Sequence, residues 1–176
     1  MDKALLIEPI ETLATDLRHH PELGSYYVYD CAVADRDGEI EMNIFDDSPY
    51  ISSALRLDTS TPDLAVLGKR GARMVRRPAR MLDTILSQTD IRSIDLMKID
   101  VQGFEDRVIA GANHALARTA CIFVEVSFRP LYCQSSIFGQ IYAMLNNRGF
   151  MLCALEPGFA TRAGELLQAD ALFVKR

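Results

Sequence analysis

Three short apolar runs along the chain each end in a carboxylate. Ala4-Leu5-Leu6-Ile7 runs into Glu8, Leu96-Met97-Lys98-Ile99 into Asp100, and Cys121-Ile122-Phe123-Val124 into Glu125. Runs of this length, bounded by turn signals, predict buried strands, and the middle one fits a strand covered on both faces. The first two are followed by helical spacing. Pro9 suits a first helical turn, with Ile10, Leu13, Ala14 and Leu17 behind it and His19-His20-Pro21 as its end. After Gly103, the residues Phe104, Val108, Ile109 and Ala112 recur at the spacing of one helix face. Strand, turn, helix is half of a βαβ unit, so these strands are expected in a parallel sheet whose ligands bind beyond the carboxyl ends. Glu8, Asp100 and Glu125 stand at those ends.

The remaining pattern fills in the sheet. Tyr26–Val33 reads as a strand and Asp35-Arg36-Asp37-Gly38 as a turn. Ile40, Met42 and Ile44 alternate with Glu39, Glu41 and Asn43, as in a half-exposed strand. An antiparallel hairpin or edge pair between these two segments is expected. Ser48–Ser53 is a polar loop, either solvated or near a ligand. Residues 58–80 read as a long connector broken at Thr59–Asp63, and Leu82–Leu86 as a short helix. Ile137, Phe138, Ile141, Tyr142 and Leu145 predict an amphipathic helix with Gly149 as its C′ residue. Phe150–Leu155 and Ala169–Lys175 read as two closing strands, antiparallel because no convincing helix joins them.

Composition narrows the class. The length of 176 residues suits a single domain, and 49% hydrophobic with 24% charged residues is ordinary for a globular chain. A net charge of −5 argues against a general nucleic-acid binder. No apolar run approaches the roughly 20 residues of a membrane span, and Asp2 and Glu8 interrupt any signal-peptide pattern. A cytoplasmic protein is expected. Cys31, Cys121 and Cys153 lie in apolar runs and read as small core residues in a reducing compartment; with Cys133 they form no metal-site spacing. From Lys69 to Arg80, six of twelve residues are basic, which fits an anionic acceptor, a partner, or a solvated edge.

Glu8 could accept hydrogen bonds from ribose hydroxyls, or be an acid stabilised at a helix N-terminus. Three strand-end acids on one sheet edge would give a cleft of negative potential, suited to a cationic ligand. A divalent cation is the weaker option, since no acid-x-acid or His-rich spacing accompanies them. His114, after Gly111-Ala112-Asn113, reads as a cap or surface residue, as does the His19-His20 pair.

The segment Lys98-Ile99-Asp100-Val101-Gln102-Gly103-Phe104-Glu105, with Gly111-Ala112 after it, resembles the FkbM-type S-adenosylmethionine-dependent methyltransferases. Ile7-Glu8-Pro9, Ala32-Val33-Ala34-Asp35 with Gly38, Ser52-Ser53, Phe123–Val126, Gly149-Phe150 and Ala169–Phe173 follow that family's order and spacing. The resemblance implies an α/β Rossmann-like methyltransferase sheet, mostly parallel with an antiparallel C-terminal strand, over residues 1–176. It implies O-methylation of a hydroxyl on a small molecule or sugar, with S-adenosylmethionine as cofactor. Glu8 would bind the cofactor ribose, Ala32 and Val33 would flank the adenine, and Asp100 would line the pocket beside the methyl group. Asp100, Glu125 or His114, in that order, would serve as base.

The chain departs from the resemblance at one place. The family's first strand, its glycine loop and the following helix, a unit of about 30 residues, have no counterpart ahead of Asp2. That strand belongs between those ending in Glu8 and Asp100, so an opening in the sheet is expected there. A fragment, a mis-assigned start, or a short form completed by re-pairing, dimerisation or another chain would each account for it. Two further readings follow: a catalytically inactive binding or dimerisation module, and a nicotinamide oxidoreductase, against which the absence of Gly-x-Gly-x-x-Gly speaks.

Overall fold

A computed structural model describes residues 3–20, 26–60, 65 and 71–176. Within them the chain is an α/β protein with mixed sheets and five α-helices. The strands are β1 (Ala4–Ile7), β2 (Tyr26–Tyr29), β3 (Ala32–Val33), β4 (Gly38–Ile44), β5 (Arg73–Arg80), β6 (Ile94–Ile99), β7 (Thr119–Ser127), β8 (Phe150–Pro157) and β9 (Gln168–Lys175). The helices are α1 (Glu11–His19), α2 (Leu82–Ser87), α3 (Glu105–Ala110), α4 (Asn113–Ala117) and α5 (Phe138–Asn146). Pro21, Thr61–Asp63, Lys69 and Arg70 lie outside the described residues.

The strands form three sheets, ordered β1-β2, β3-β5-β4 and β6-β7-β9-β8. Three pairs are parallel (β1 with β2, β3 with β5, β6 with β7) and three antiparallel (β4 with β5, β7 with β9, β8 with β9). The antiparallel ending is as expected, with β9 entering between β7 and β8. A mostly parallel sheet is not seen; the two modes are equal in number.

Around β5 the expectation fails. The segment predicted as one strand over Tyr26–Val33 splits into β2 and β3, and neither pairs with β4. The partner of β4 is β5, which joins Gly38 to Ala79 and Ile44 to Arg73 in register. Residues 73–80 are thus the central strand of a sheet rather than a connector. Val75, Arg77 and Ala79 turn inward in alternation with exposed Met74, Arg76, Pro78 and Arg80, and charge pairing adds to the register. Arg76 lies opposite Glu41 and forms an ion pair with it at 3.6 Å, and Arg73 pairs with Asp46 at 3.0 Å. Arg77 reaches Glu11 of α1 at 3.4 Å. Exposed pairs of this kind contribute about 0.2–1 kcal/mol each, enough to favour a register.

The main core lies on the four-stranded sheet. Ile122, Val124 and Val126 of β7 and Ala171 and Phe173 of β9 are buried, with Ile109, Leu116, Ile141, Leu145 and Phe150 packed on them. The predicted single helix after Gly103 is two, α3 and α4, broken at Gly111-Ala112. Gly111 is required there by contact: a Cβ on it would sit 2.1 Å from the Ala34 carbonyl oxygen. Asp83 of α2 accepts the His114 and Ala115 backbone N–H groups at 2.9 and 2.8 Å, capping α4. Cys31 is buried, but Cys121 is only half-buried and Cys153 exposed. Cys153 falls at the register shift in edge strand β8, which turns it out of the core.

β6 is not covered on both faces. Asp95, Leu96 and Lys98 are exposed, Leu96 by 60%. One edge of β6 pairs with β7; the other faces a cavity of about 640 Å³ whose opposite wall is β1. Lys3 and Tyr27 both bond Asp90, just ahead of β6, so the beginnings of β1 and β6 are held together across this space. The opening expected between the strands ending in Glu8 and Asp100 is therefore present, as a cavity lined by consecutive residues of both.

Gly111→Ala is expected to destabilise the chain by roughly 1–3 kcal/mol, as overpacking does, because the backbone at Ala34 must move. Denaturant unfolding with an unchanged slope checks this.

Candidate functional site

β6 and β7 run parallel with Ile99 opposite Val124, so Asp100, the residue after β6, and Glu125 stand side by side; Glu125 is not at the strand end expected for it, because pairing with β9 carries β7 on to Ser127. The antiparallel strands extend the row. Glu125 lies opposite Asp170 of β9, and Asp170 opposite Glu156 of β8. Like charges directly opposite each other oppose pairing. One cation tempers the row: Lys98, two residues before Asp100 on the same face, donates to Asp100 Oδ2 at 3.0 Å.

The turn after β6 supplies the rest. Gln102 has φ 53° and Gly103 φ 92°, both left-handed. Glu105 holds this turn. Its Oε1 accepts the backbone N–H groups of Val101 and Gly103 at 3.2 and 3.1 Å. The Ser53 hydroxyl donates to the Gln102 carbonyl at 2.7 Å. A side chain on Gly103 would meet Tyr132 and Ser135 at 3.0 Å. So held, Gln102 projects between the two acids. Its Nε2 donates to Asp100 Oδ1 at 2.7 Å and Glu125 Oε2 at 3.1 Å, and its Oε1 lies 3.0 Å from the Tyr132 hydroxyl. Gln168 Nε2 also donates to Glu125 Oε2, at 2.7 Å.

Burial pushes the carboxyls of Glu105 and Glu125 up to about 7, and for Glu125 the charge of Asp100 adds to it. Burial likewise raises Glu8 and Asp170 above the ordinary carboxylate range, while Asp100 beside Lys98 raises the lysine.

The cavity joins this cluster through Asp100. Glu8, Val33, Asp100 and Val101 all line it, with Leu5, Ile7, Met97 and Val108 as apolar wall. Glu8 Oε1 accepts the Ile10 N–H at 2.7 Å at the start of α1, so the helix-terminus reading of this acid is observed. Its second oxygen leaves room for a ligand. Ala32 is buried in β3 and is not on the cavity wall, while Val33 is. Glu125 is not on that wall either; it stands behind Asp100, across Gln102. Sequence reasoning named both acids but missed Gln102, Gln168, Tyr132 and Lys98. The two-residue spacing of Lys98, Asp100 and Gln102 was the available signal for two of them. Among the described residues no group of three or more His, Cys, Asp or Glu is arranged to hold a metal ion, and no helix is long and apolar enough to cross a membrane.

Residues 3–152 match the family model described as the methyltransferase FkbM domain. The chain belongs to the FkbM methyltransferase family. This FkbM chain is also 45% identical over 53 residues to a protein named 2-O-methyltransferase NoeI, from Sinorhizobium fredii (strain NBRC 101917 / NGR234). That alignment takes in 30% of the chain and 22% of the relative. No solved structure matches at a significant level.

The raised acids make stability pH-dependent with a definite sign. Between 4.5 and about 7 the folded chain keeps on Glu105 a proton that the unfolded chain has lost. Stability from this group is full below 4.5 and is lost as pH rises to about 7. Glu105→Gln, which can still accept both N–H bonds, is expected to flatten the fall between pH 5 and 7, read by urea midpoints across that range.

Proposed function

We propose that this FkbM-family chain transfers a methyl group from S-adenosylmethionine to a hydroxyl oxygen of a small molecule or sugar. Family membership supports methyl transfer, and the name of the aligned relative supports oxygen as the acceptor atom. The observation that carries the reading is one cavity with Glu8 on the β1 wall and Asp100 on the β6 wall. In a Rossmann-like methyltransferase fold, the arrangement we infer for the three sheets together, ligands sit beyond the carboxyl ends of parallel strands. Both acids are at such ends.

The residues present fit the cofactor. A volume of about 640 Å³ falls in the roughly 300–1,000 Å³ range of small-molecule sites. Glu8 offers an acceptor for ribose hydroxyls, Val33 an apolar surface for the base, and Asp100 a negative charge for the sulfonium end. When bound, S-adenosylmethionine supplies an electrophilic methyl carbon on a positively charged sulfur. The chain itself orients the reactants, which supplies most of the advantage, and takes the hydroxyl proton. Asp100, on the cavity wall, is the acid within reach of that proton, and Glu125, behind it across Gln102 with a carboxyl raised to about 7, is the second choice. The acids Asp100, Glu125, Glu105 and Asp170 favour an uncharged hydroxyl acceptor over an anionic one. Three of the four β5 arginines offer an anion little, since Arg73, Arg76 and Arg77 already face acids.

The open edge of β6 supports a second reading, a methyltransferase-like module that binds a partner without catalysis. Calorimetric titration with S-adenosylmethionine and its demethylated product separates the two. Micromolar binding is expected; absence of binding by the folded chain overturns the first reading. Glu8→Ala and Asp100→Ala are each expected to weaken that binding at least about tenfold, the loss of a charge-assisted hydrogen bond of about 1.5–3 kcal/mol. Unchanged affinity in both would remove the assignment of this cavity.

A further inference from the structure

Gln102 is held in a left-handed conformation that glycine usually occupies, and its backbone and side chain are both engaged. The side-chain orientation is fixed by chemistry. Its nitrogen faces two carboxylates, and its oxygen faces the Tyr132 hydroxyl, whose single proton it shares with the Ile51 carbonyl at 3.1 Å. Turned about, the amide would set its oxygen against both acids.

The two acids it bridges are otherwise unequal. Asp100 is exposed and also receives Lys98. Glu125 is half-buried and receives neutral amides alone, from Gln102 and Gln168, both on Oε2. Its Oε1 has no hydrogen-bond partner among the described residues. The groups facing Glu125 are Asp100 and Lys98 on the β6 side, Glu105 from α3, Asp170 from β9 and Tyr132 from the loop after β7. Four of these five are acidic or can only become negative, Lys98 favours the charged form, and the two amides are the hydrogen-bond donors that Glu125 receives.

We propose that Gln102 is a positioning residue: its amide, locked by Tyr132, ties Oε2 of Glu125 to Oδ1 of Asp100 and thereby sets the protonation of Glu125, leaving Oε1 as the atom that takes up a proton. The assignment of that proton to an acceptor hydroxyl rests on the methyltransferase reading above; the clamp itself does not.

Carboxyl-carbon NMR of the full chain labelled with ¹³C-glutamate tests the clamp without cofactor or acceptor. Two glutamates, 105 and 125, are expected to titrate near neutrality, and the Glu125→Gln variant identifies which signal belongs to position 125. In Gln102→Met, which keeps length and loses both donors, the Glu125 midpoint is expected to rise by about one pH unit, because a hydrogen bond to the charged form is lost. Tyr132→Phe, which frees the amide, should move it the same way by less, and Gln168→Met, which removes the second donor, by about as much as Gln102→Met. The Glu105 signal should move little in all three. An unchanged Glu125 midpoint in Gln102→Met overturns the proposal. Should that variant fail to fold, unchanged midpoints in both Tyr132→Phe and Gln168→Met overturn it equally. A wild-type chain that shows the clamp yet binds no S-adenosylmethionine would sink the methyltransferase reading alone, and binding without a shifted midpoint would sink the clamp alone.

Discussion

The turn from Asp100 to Glu105 depends on one buried carboxyl. Glu105 is 4% exposed and takes the Val101 and Gly103 N–H groups on a single oxygen. Without an acceptor those two donors would be stranded at the junction of β6 and α3, at about 1–3 kcal/mol each. With it the chain can turn through two left-handed residues, one of them the non-glycine Gln102. That turn places Gln102 between Asp100 and Glu125, sets α3 against the sheet, and keeps Gly103 under Tyr132. Since both bonds use Oε1, a proton can reside on Oε2 without undoing them, which reconciles a raised carboxyl with a capping role.

The second constraint is electrostatic. Register alone lines up Asp100, Glu125, Asp170 and Glu156 across four strands. A structure selected for stability alone would not set four acids opposite one another. Here one lysine, two glutamines and partial burial keep the row together, and the result is a carboxyl whose proton is mobile near neutrality. Perturbed groups of this kind concentrate where chemistry is done, and this one adjoins the cavity through Asp100.

Much of the site was legible because strand-end acids follow from the pattern of apolar runs. Ile7-Glu8 and Ile99-Asp100 could be placed at strand ends from periodicity, while Val124-Glu125 falls inside β7, and parallel pairing of β6 with β7 still sets Glu125 beside Asp100. The third, Glu8, meets Asp100 only across the cavity. β5 was illegible because its register is written partly in charges: an Arg-rich run opposite Glu41 looks like a solvated connector until its partner strand is known. The amide clamp was hidden for a different reason. Gln102 lies in a turn, where side-chain direction depends on φ, and its partners Glu125 and Tyr132 are 23 and 30 positions away, beyond any local pattern.

The cavity ties these constraints together. Because β6 pairs on one side only, its β1-facing edge stays open and Leu96 remains exposed against the usual placement of such a residue. The same opening leaves Asp100 exposed to solvent on the cavity wall. Its charge, reaching Glu125 across the amide of Gln102, then helps hold the second carboxyl high. Closing β6 with a full strand neighbour would bury Asp100 and remove that wall of the cavity. The contrast between Asp100, open to the cavity, and Glu125, half-buried behind it with its carboxyl held up, therefore depends on an edge left open to solvent.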